Sequence, residues 1–390
     1  METREVKLGE VATVKGGKRL PKGINLITKP NSHPYIRVRD LNGKRILELD
    51  DSFEFVDDET QKAISRYIVT NGDIVLSIVG TIGLVSIVGD SLNEANLTEN
   101  CVKLTSFSGI DRDYLYYYLR SSYGQQEIAR GTVGAVQAKL PIKNIQDITI
   151  PLPDEVAQGK IAAILSSLDT KIEINQRIND NLQQQAAALF SSLYDRTNTE
   201  VRFTDLIQIL GGGTPKTGEN TYWNGNIAFF TPKDVGTPYT LITEKTITEE
   251  GLSHCNSRLY PVNTVFVTAR GTVGKVGMSG VPMAMNQSCY ALVGKETHQL
   301  LVYFYTLKVV DRLKHKASGA VFDAITTKDF ESEQIMKLSD DDARAFLCIA
   351  EPMFQKVLNN CIENLRLSTL RDSLLPKLMS GEIDVSAVQL

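Results

Sequence analysis

Residues 150–195 read IPLPDEVAQGKIAAILSSLDTKIEINQRINDNLQQQAAALFSSLYD, with no Pro after Pro153 and no Gly after Gly159. Apolar or small residues recur at Ile161, Leu165, Leu168, Ile172, Leu182, Ala186, Leu189 and Leu193, in steps of four and three. The same rhythm puts Asn175 and Asn179 on the seam. The spacing predicts a helix of roughly 35 residues, about 50 Å long at 1.5 Å per residue. A seam that narrow buries little unless another helix lies against it. The fold therefore turns on where a second such helix stands.

Size and composition bound the search. A chain of 390 residues exceeds one compact core and predicts two or three domains. No apolar run reaches the length of a membrane span, and the N-terminal METREVKLGE lacks the apolar centre of a signal peptide. Five cysteines without CxxC spacing argue against a disulfide framework and a zinc site. The chain reads as cytoplasmic. Its net charge of −4 predicts no affinity for a polyanion, but the distribution is uneven. Ten Lys and Arg residues fall between Lys7 and Arg45 against only Glu10 and Asp40, while residues 50–59 are strongly acidic.

The chain is written twice. Val6-Lys-Leu-Gly-Glu-Val-Ala-Thr-Val-Lys-Gly-Gly has its counterpart 195 residues on, at Val201-Arg-Phe-Thr-Asp-Leu-Ile-Gln-Ile-Leu-Gly-Gly. Residues 35–41 answer to residues 228–235. Gly80 aligns with Gly271 and Cys101 with Cys289, at offsets of 191 and 188. A slowly drifting offset with motifs in constant order means duplication with small insertions, not a solenoid. Within the first copy, strands are expected at 35–40, 74–79, 84–88 and 102–104, and a helix at 113–130. A helix at 300–316 is its counterpart in the second.

The duplication supplies the partner helix. Residues 340–380 carry a stripe of Ala350, Phe354, Val357, Cys361 and Leu365, continued by Leu370, Leu374 and Leu378. The stretch from Ala187 to Asp195 aligns with Ser373 to Gly381. The expected fold is α+β: two similar globular domains, and two long helices paired as an antiparallel coiled coil rather than each packed on its own domain. The boundaries fall at 1–150, 151–198, 199–340 and 341–390. Asn175 and Asn179 in the seam would fix register and partner at a cost in stability.

Catalytic signatures are missing. Gly271-Thr-Val-Gly-Lys-Val-Gly has the wrong spacing for a phosphate loop, and no HExxH, GxSxG or kinase pattern occurs. The four histidines are scattered. No catalytic residue, metal ligand or cofactor is expected. The Gly-rich loops Gly16-Gly-Lys-Arg-Leu-Pro-Lys-Gly and Gly211-Gly-Gly-Thr-Pro-Lys-Thr-Gly keep Gly-Gly, Pro and Lys in both copies. Such loops offer N–H groups and cations to phosphate oxygens. Trp223 reads as a packing anchor for its loop.

Taken together, these features resemble the specificity subunit of Type I restriction–modification systems. The resemblance rests on the two Gly-rich openings, Gly80–Gly83 with Gly271–Gly274, the Pro-Leu-Pro entry with its helix to Asp195, and the closing Leu-Met-Ser-Gly-Glu-Ile. It covers essentially the whole chain, with one departure: Leu338-Ser-Asp stands where a second Pro-Leu-Pro is expected. The resemblance implies a non-catalytic subunit whose two target-recognition domains each read one half of a bipartite sequence in double-stranded DNA. The paired helices would set the spacing and dock two methyltransferase (modification) subunits. Restriction subunits would join to make an ATP-dependent endonuclease. A Type IIB- or BREX-like specificity protein is an alternative with the same physics, and a protein-only coiled-coil adaptor is a different one.

The residues themselves point the same way. Two half-sites on one face of a duplex would lie near 34 Å apart, about 10 base pairs. Phosphate contacts are expected from Lys15, Lys18, Arg19, Lys22, Lys216 and Lys233. Base edges call for Arg, Lys, Asn or Gln on loops, and the candidates are Arg37, Arg39, Arg270 and Asn286.

Overall fold

The computed structural model describes residues 3–41, 43–134, 136–236, 238–316 and 324–388. Its strands fall into two sets of ten. The first comprises β1 (Arg4–Lys7), β2 (Thr13–Gly16), β3 (Pro34–Ile36), β4 (Ile46–Leu47), β5 (Glu54–Phe55), β6 (Ile74–Ser77), β7 (Val85–Val88), β8 (Asn96–Leu97), β9 (Cys101–Thr105) and β10 (Thr149–Leu152). The second comprises β11 (Glu200–Arg202), β12 (Ile207–Gly211), β13 (Trp223–Phe230), β14 (Tyr239–Thr240), β15 (Lys245–Ile247), β16 (Val265–Thr268), β17 (Val276–Ser279), β18 (Met283–Met285), β19 (Cys289–Gly294) and β20 (Gln334–Met336). Each strand of the first set has its counterpart ten places on. The sheets are β2-β9-β6-β7-β4, β5-β3-β8 and β1-β10 in the first, and β12-β19-β16-β17-β14, β15-β13-β18 and β11-β20 in the second.

Helices repeat as well. The first copy has α1 (Leu8–Val11), α2 (Asp58–Ile64), α3 (Arg112–Arg120), α4 (Ser122–Gly131), α5 (Ile142–Gln146) and α6 (Glu155–Tyr194). The second has α7 (Phe203–Leu206), α8 (Glu249–Ser253), α9 (Gln299–Lys316), α10 (Thr327–Ser332) and α11 (Asp340–Met379). Two units result, one of Met1–Ile172 with Arg366–Leu390 and one of Glu173–Leu365, so α6 and α11 each contribute to both.

In the first unit, β6 is buried along its whole length, which is why Ile-Val-Leu-Ser reads as an unbroken apolar run rather than an alternating one. Ile74 and Leu76 face a helical core with Leu115, Tyr117 and Leu119 of α3. Val75 and Cys101 face the smaller sheet, against Ile36, Phe55 and Leu97. The expected helix over 113–130 is two helices. Ser121 ends α3 in an extended conformation (ψ 161°) and caps α4, its Oγ accepting from Gly124 N at 3.2 Å. Gly124 then lies against the last turn of α3, where a Cβ would stand 2.1 Å from the Tyr118 carbonyl oxygen.

In the second unit, Val265, Val267 and Leu292 face the core that holds α9, and Phe266 and Ala291 face Phe230 and Met285 of the smaller sheet. The strand expected over 35–40 is shorter, because Val38–Asp40 turns as a 3-10 helix with Asp40 Oδ2 accepting from Arg37 N at 2.7 Å.

Both long helices have 40 residues, about 60 Å each. In the first unit Ile161 and Leu165 of α6 share a core with Leu375 and Leu378 of α11. In the second, Phe190 and Leu193 of α6 meet Phe346, Ala350 and Phe354 of α11. The helix ends are therefore planted in the globular cores, and the seam-only packing expected from the narrow stripe holds only near the middle. Buried positions correspond at a step of 185 residues: Ile161 with Phe346, Leu165 with Ala350, Phe190 with Leu375 and Leu193 with Leu378. The alignment of Ala187 with Ser373 is thus one residue out. Leu370, expected on the seam, is 46% exposed. Its seam position belongs to Arg371, whose guanidinium is paired with Asp169 at 2.6 Å.

Among the described residues no helix is long and apolar enough to cross a membrane, and all five cysteines are free.

Candidate nucleic-acid interface

Three turns of the second unit surround one cleft of about 460 Å³. The turn after β13 is tied by Asp234, whose Oδ2 accepts from Thr231 N at 2.8 Å and whose Oδ1 accepts from Glu244 N at 2.7 Å. This lifts Lys233 to the surface, 3.7 Å from Glu244. Between β16 and β17 the chain reverses through Gly271 (φ 81°) and Gly274 (φ 74°), a conformation that suits glycine. Thr268 Oγ1 holds the reversal by donating to Thr272 O and accepting from Lys275 N at 2.9 Å. Arg270, at the head of this turn, is exposed, and its guanidinium has no hydrogen bond or ion pair among the described residues. After β18, Asn286 N donates to Phe230 O at 3.0 Å, and Asn286 Oδ1 accepts from Ser288 N at 3.0 Å.

The cleft so formed is lined by Lys233, Lys245, Arg270, Asn286, Thr272 and Ser288, with Glu244 as its one acid. Three cations and several hydroxyl and amide groups facing one space suit a polyanion whose edges carry acceptors. Lys233, Arg270 and Asn286, named separately from sequence, thus lie on one cleft. Lys245 was not foreseen. It sits 5.6 Å above the ring of Trp223, which also donates from Nε1 to Lys216 O at 3.3 Å and packs edge-on against Phe229. Trp223 therefore anchors the Gly-rich loop that carries the exposed Lys216, as its sequence context suggested. Lys216 itself is not among the cleft's lining residues.

The first unit builds the same frame with other charges. Asp40 matches Asp234 as the acceptor that ties the turn, so Arg37 and Arg39 stand where Thr231 and Lys233 do. Strand register places Glu54 at the position of Lys245, both pairing with the penultimate residue of the central strand of the small sheet, Tyr35 and Phe229. Arg37 donates from Nη1 to Glu54, and Arg39 Nη2 lies 3.2 Å from the same carboxylate. Arg37, a candidate for base contact, is therefore a half-buried ion-pair partner. Asp40 is only 4% exposed. Burial pushes its carboxyl up to about 6, against the pull of Arg39. Val79 and Thr98 occupy the positions of Arg270 and Asn286: Ser77 holds the Gly80 turn as Thr268 holds Gly271, and Thr98 N donates to Ile36 O at 3.0 Å.

Several cations of the basic stretch over 7–45 already have partners. Arg19 pairs with Glu99 at 2.8 Å and Arg45 with Asp113 at 2.5 Å, while Lys18 lies 5.5 Å over the ring of Tyr67. Lys15 and Lys22 are exposed, and their ammonium groups have no partner among the described residues. The paired glycines also have a packing reason. A Cβ on Gly17 would stand 2.0 Å from Thr98 O, and one on Gly212 2.2 Å from Asn286 O. Among the described residues no group of three His, Cys, Asp or Glu could hold a metal ion.

One architecture built twice, with matching turns that present different side chains, defines a tandem recognition fold. Residues 1–184 and 196–337 match the family model described as the Type I restriction modification DNA specificity domain, and the chain belongs to this family. The MjaIX specificity subunit of Methanocaldococcus jannaschii is 22% identical over 379 residues, covering 90% of this chain and 87% of that protein. The HindI specificity subunit of Haemophilus influenzae is 23% identical, covering 63% and 71% respectively. In fold, the chain is similar to the crystal structure of a Type I restriction–modification S subunit from M. genitalium, with a TM-score of 0.62, 17% identity and coverage of 97% and 96%.

Proposed function

We propose that this DNA-specificity protein reads a bipartite duplex sequence, one half per unit, and carries no catalytic step of its own. The observation that supports it is the cleft of the second unit, where Lys233, Lys245, Arg270 and Asn286 converge, set against an equivalent frame in the first unit with Glu54 and Val79 in place of Lys245 and Arg270. Different chemistry on one frame suits two different half-sites. Arg270 and Asn286 read base edges, and Lys233, Lys245 and Lys216 hold phosphates. In the first unit Arg39 is the base-contact candidate, with Lys15, Lys18, Arg19 and Lys22 on the backbone.

The continuous helices α6 and α11 set the gap between half-sites and dock two methyltransferase subunits on their polar outer faces, with restriction subunits joining that assembly. The protein then works in the cytoplasm, where the DNA is. Gel-shift or anisotropy titration of duplexes with the chain and its methyltransferase tests the reading. Tight binding to one bipartite sequence, steeply weakened by salt, is expected; no binding in the presence of the methyltransferase contradicts it.

A further inference from the structure

The helices α6 and α11 are equivalents, so each has two kinds of partner available: its counterpart in the same chain, or a second copy of itself from another chain. The two asparagine pairs of the second unit do not distinguish them. Asn360 Nδ2 donates to Asn179 Oδ1 at 2.8 Å, and Asn175 Nδ2 donates to Asn364 Oδ1 at 2.9 Å. The 185-residue step turns Asn175 into Asn360 and Asn179 into Asn364. Two α6 helices would set Asn175 against Asn179 and keep both asparagine–asparagine bonds, though not the donation from Asn175 Nδ2 to Glu363 Oε2 at 2.8 Å, because Ile178 stands at the position of Glu363.

The first unit breaks this symmetry. Arg371 Nη1 lies 2.6 Å from Asp169 Oδ1, and Tyr117 OH donates to Asp169 Oδ2 at 2.7 Å. Arg371 also reaches Asp372 at 2.8 Å. Asp169 is 5% exposed. By the same step its equivalent is Phe354, and that of Arg371 is Ala186. Tyr117 corresponds to Phe304, since Leu115 N and Val302 N bond the carbonyls of Asp111 and His298 alike. All three equivalents are buried and apolar, with Phe304 and Phe354 edge-to-face at 5.5 Å. The same layer is charged in one unit and hydrocarbon in the other.

We propose that the Asp169–Arg371 pair selects the partner of each long helix, joining α6 to α11 and rejecting a second copy of either. Two α6 helices would bury Asp169 against Ala186 twice. Two α11 helices would bury Arg371 against Phe354 twice. The first leaves Asp169 in the seam without a cation, and the second leaves Arg371 with only the exposed Asp372, a heavy penalty, whereas a buried ion pair adds little stability over an apolar pair of similar size. The second unit shows that this layer packs well without charge. The ion pair is therefore a pairing code, in a chain whose duplication makes mispairing a standing alternative.

The full-length chain tests this. The variant Tyr117→Phe/Asp169→Phe/Arg371→Ala copies the apolar layer into the first unit. On refolding at high protein concentration, its dimer fraction by light scattering rises at least about tenfold over the parent. A folded variant that stays as monomeric as the parent overturns the proposal. If it does not fold, Asp169→Arg and Arg371→Asp chains decide. Refolded together they form a 1:1 heterodimer, because only exchange between chains restores both ion pairs, and no heterodimer overturns the proposal.

Discussion

Gly212 lies so close to Asn286 that a Cβ on the glycine would stand 2.2 Å from the Asn286 carbonyl oxygen. The Gly-rich loop is therefore the floor on which a cleft residue rests, and Gly17 stands in the same relation to Thr98. Gly212→Ala and Gly17→Ala each lose about 2–4 kcal/mol of stability. Gly218→Ala, with nothing within 4 Å of the new atom, stays within about 0.5 kcal/mol of the parent. Denaturant unfolding of the three variants checks this, and equal losses at all three positions contradict it.

Charge in the second unit's cleft separates two kinds of DNA contact. Lys245→Glu copies the first unit's residue and weakens binding to all duplexes alike, lowering the slope of log K against log salt by about one contact. Arg270→Ala costs about 1–3 kcal/mol at one base pair of one half-site and relaxes the preference there. Anisotropy titrations over a salt series and a set of single-base variants measure both effects. A loss from Arg270→Ala that is the same for every sequence assigns the residue to phosphate instead.

Asp40 makes the first unit's stability depend on pH. Its carboxyl titrates near 6 in the folded state and near 3.8 in the unfolded chain, so between these values the folded state holds the extra proton. The stabilisation is complete below pH about 4 and is lost as pH rises through about 6. The change is of order 1–3 kcal/mol. Asp40→Asn keeps an acceptor for Arg37 N and flattens this part of the profile. Urea unfolding at intervals across the range compares the two chains, and parallel profiles rule the mechanism out.

The asparagine layer trades stability for register. Asn179→Leu alone strands the buried amide of Asn360 and costs about 1–3 kcal/mol. Adding Asn360→Leu recovers that loss and raises the thermal midpoint above the parent. A double-mutant cycle gives the coupling directly. Additive losses would mean that the two side chains do not act as a pair.

The duplication, the long helices and the two seam asparagines were legible because each leaves a periodic or repeated trace. Asp169 and Arg371 were not. A charged pair in a seam interrupts the apolar rhythm, and Leu370, of the right type but on the wrong side, stood in for Arg371. The break at Ser121 was hidden because Tyr114 to Leu119 carry no polar face to show the phase of α3. Within the cleft, Lys233, Arg270 and Asn286 could be named from residue type and loop context. Arg37 was named by the same rule, but Glu54 reaches it through strand pairing, which residue type alone does not reveal. Lys245 was missed for the converse reason: only the register of β13 with β15 sets it opposite Phe229, at the position Glu54 holds in the first unit, and on the cleft with Arg270.

The central claim is that each unit reads its own half-site. Replacing residues 1–150 with the corresponding domain of a related specificity protein, then sequencing methylated bases in cells carrying the chimera and its methyltransferase, tests it most directly. One half of the methylated motif changes, while the other half and the gap between them stay as they were. A change in both halves, or in the gap alone, contradicts the account.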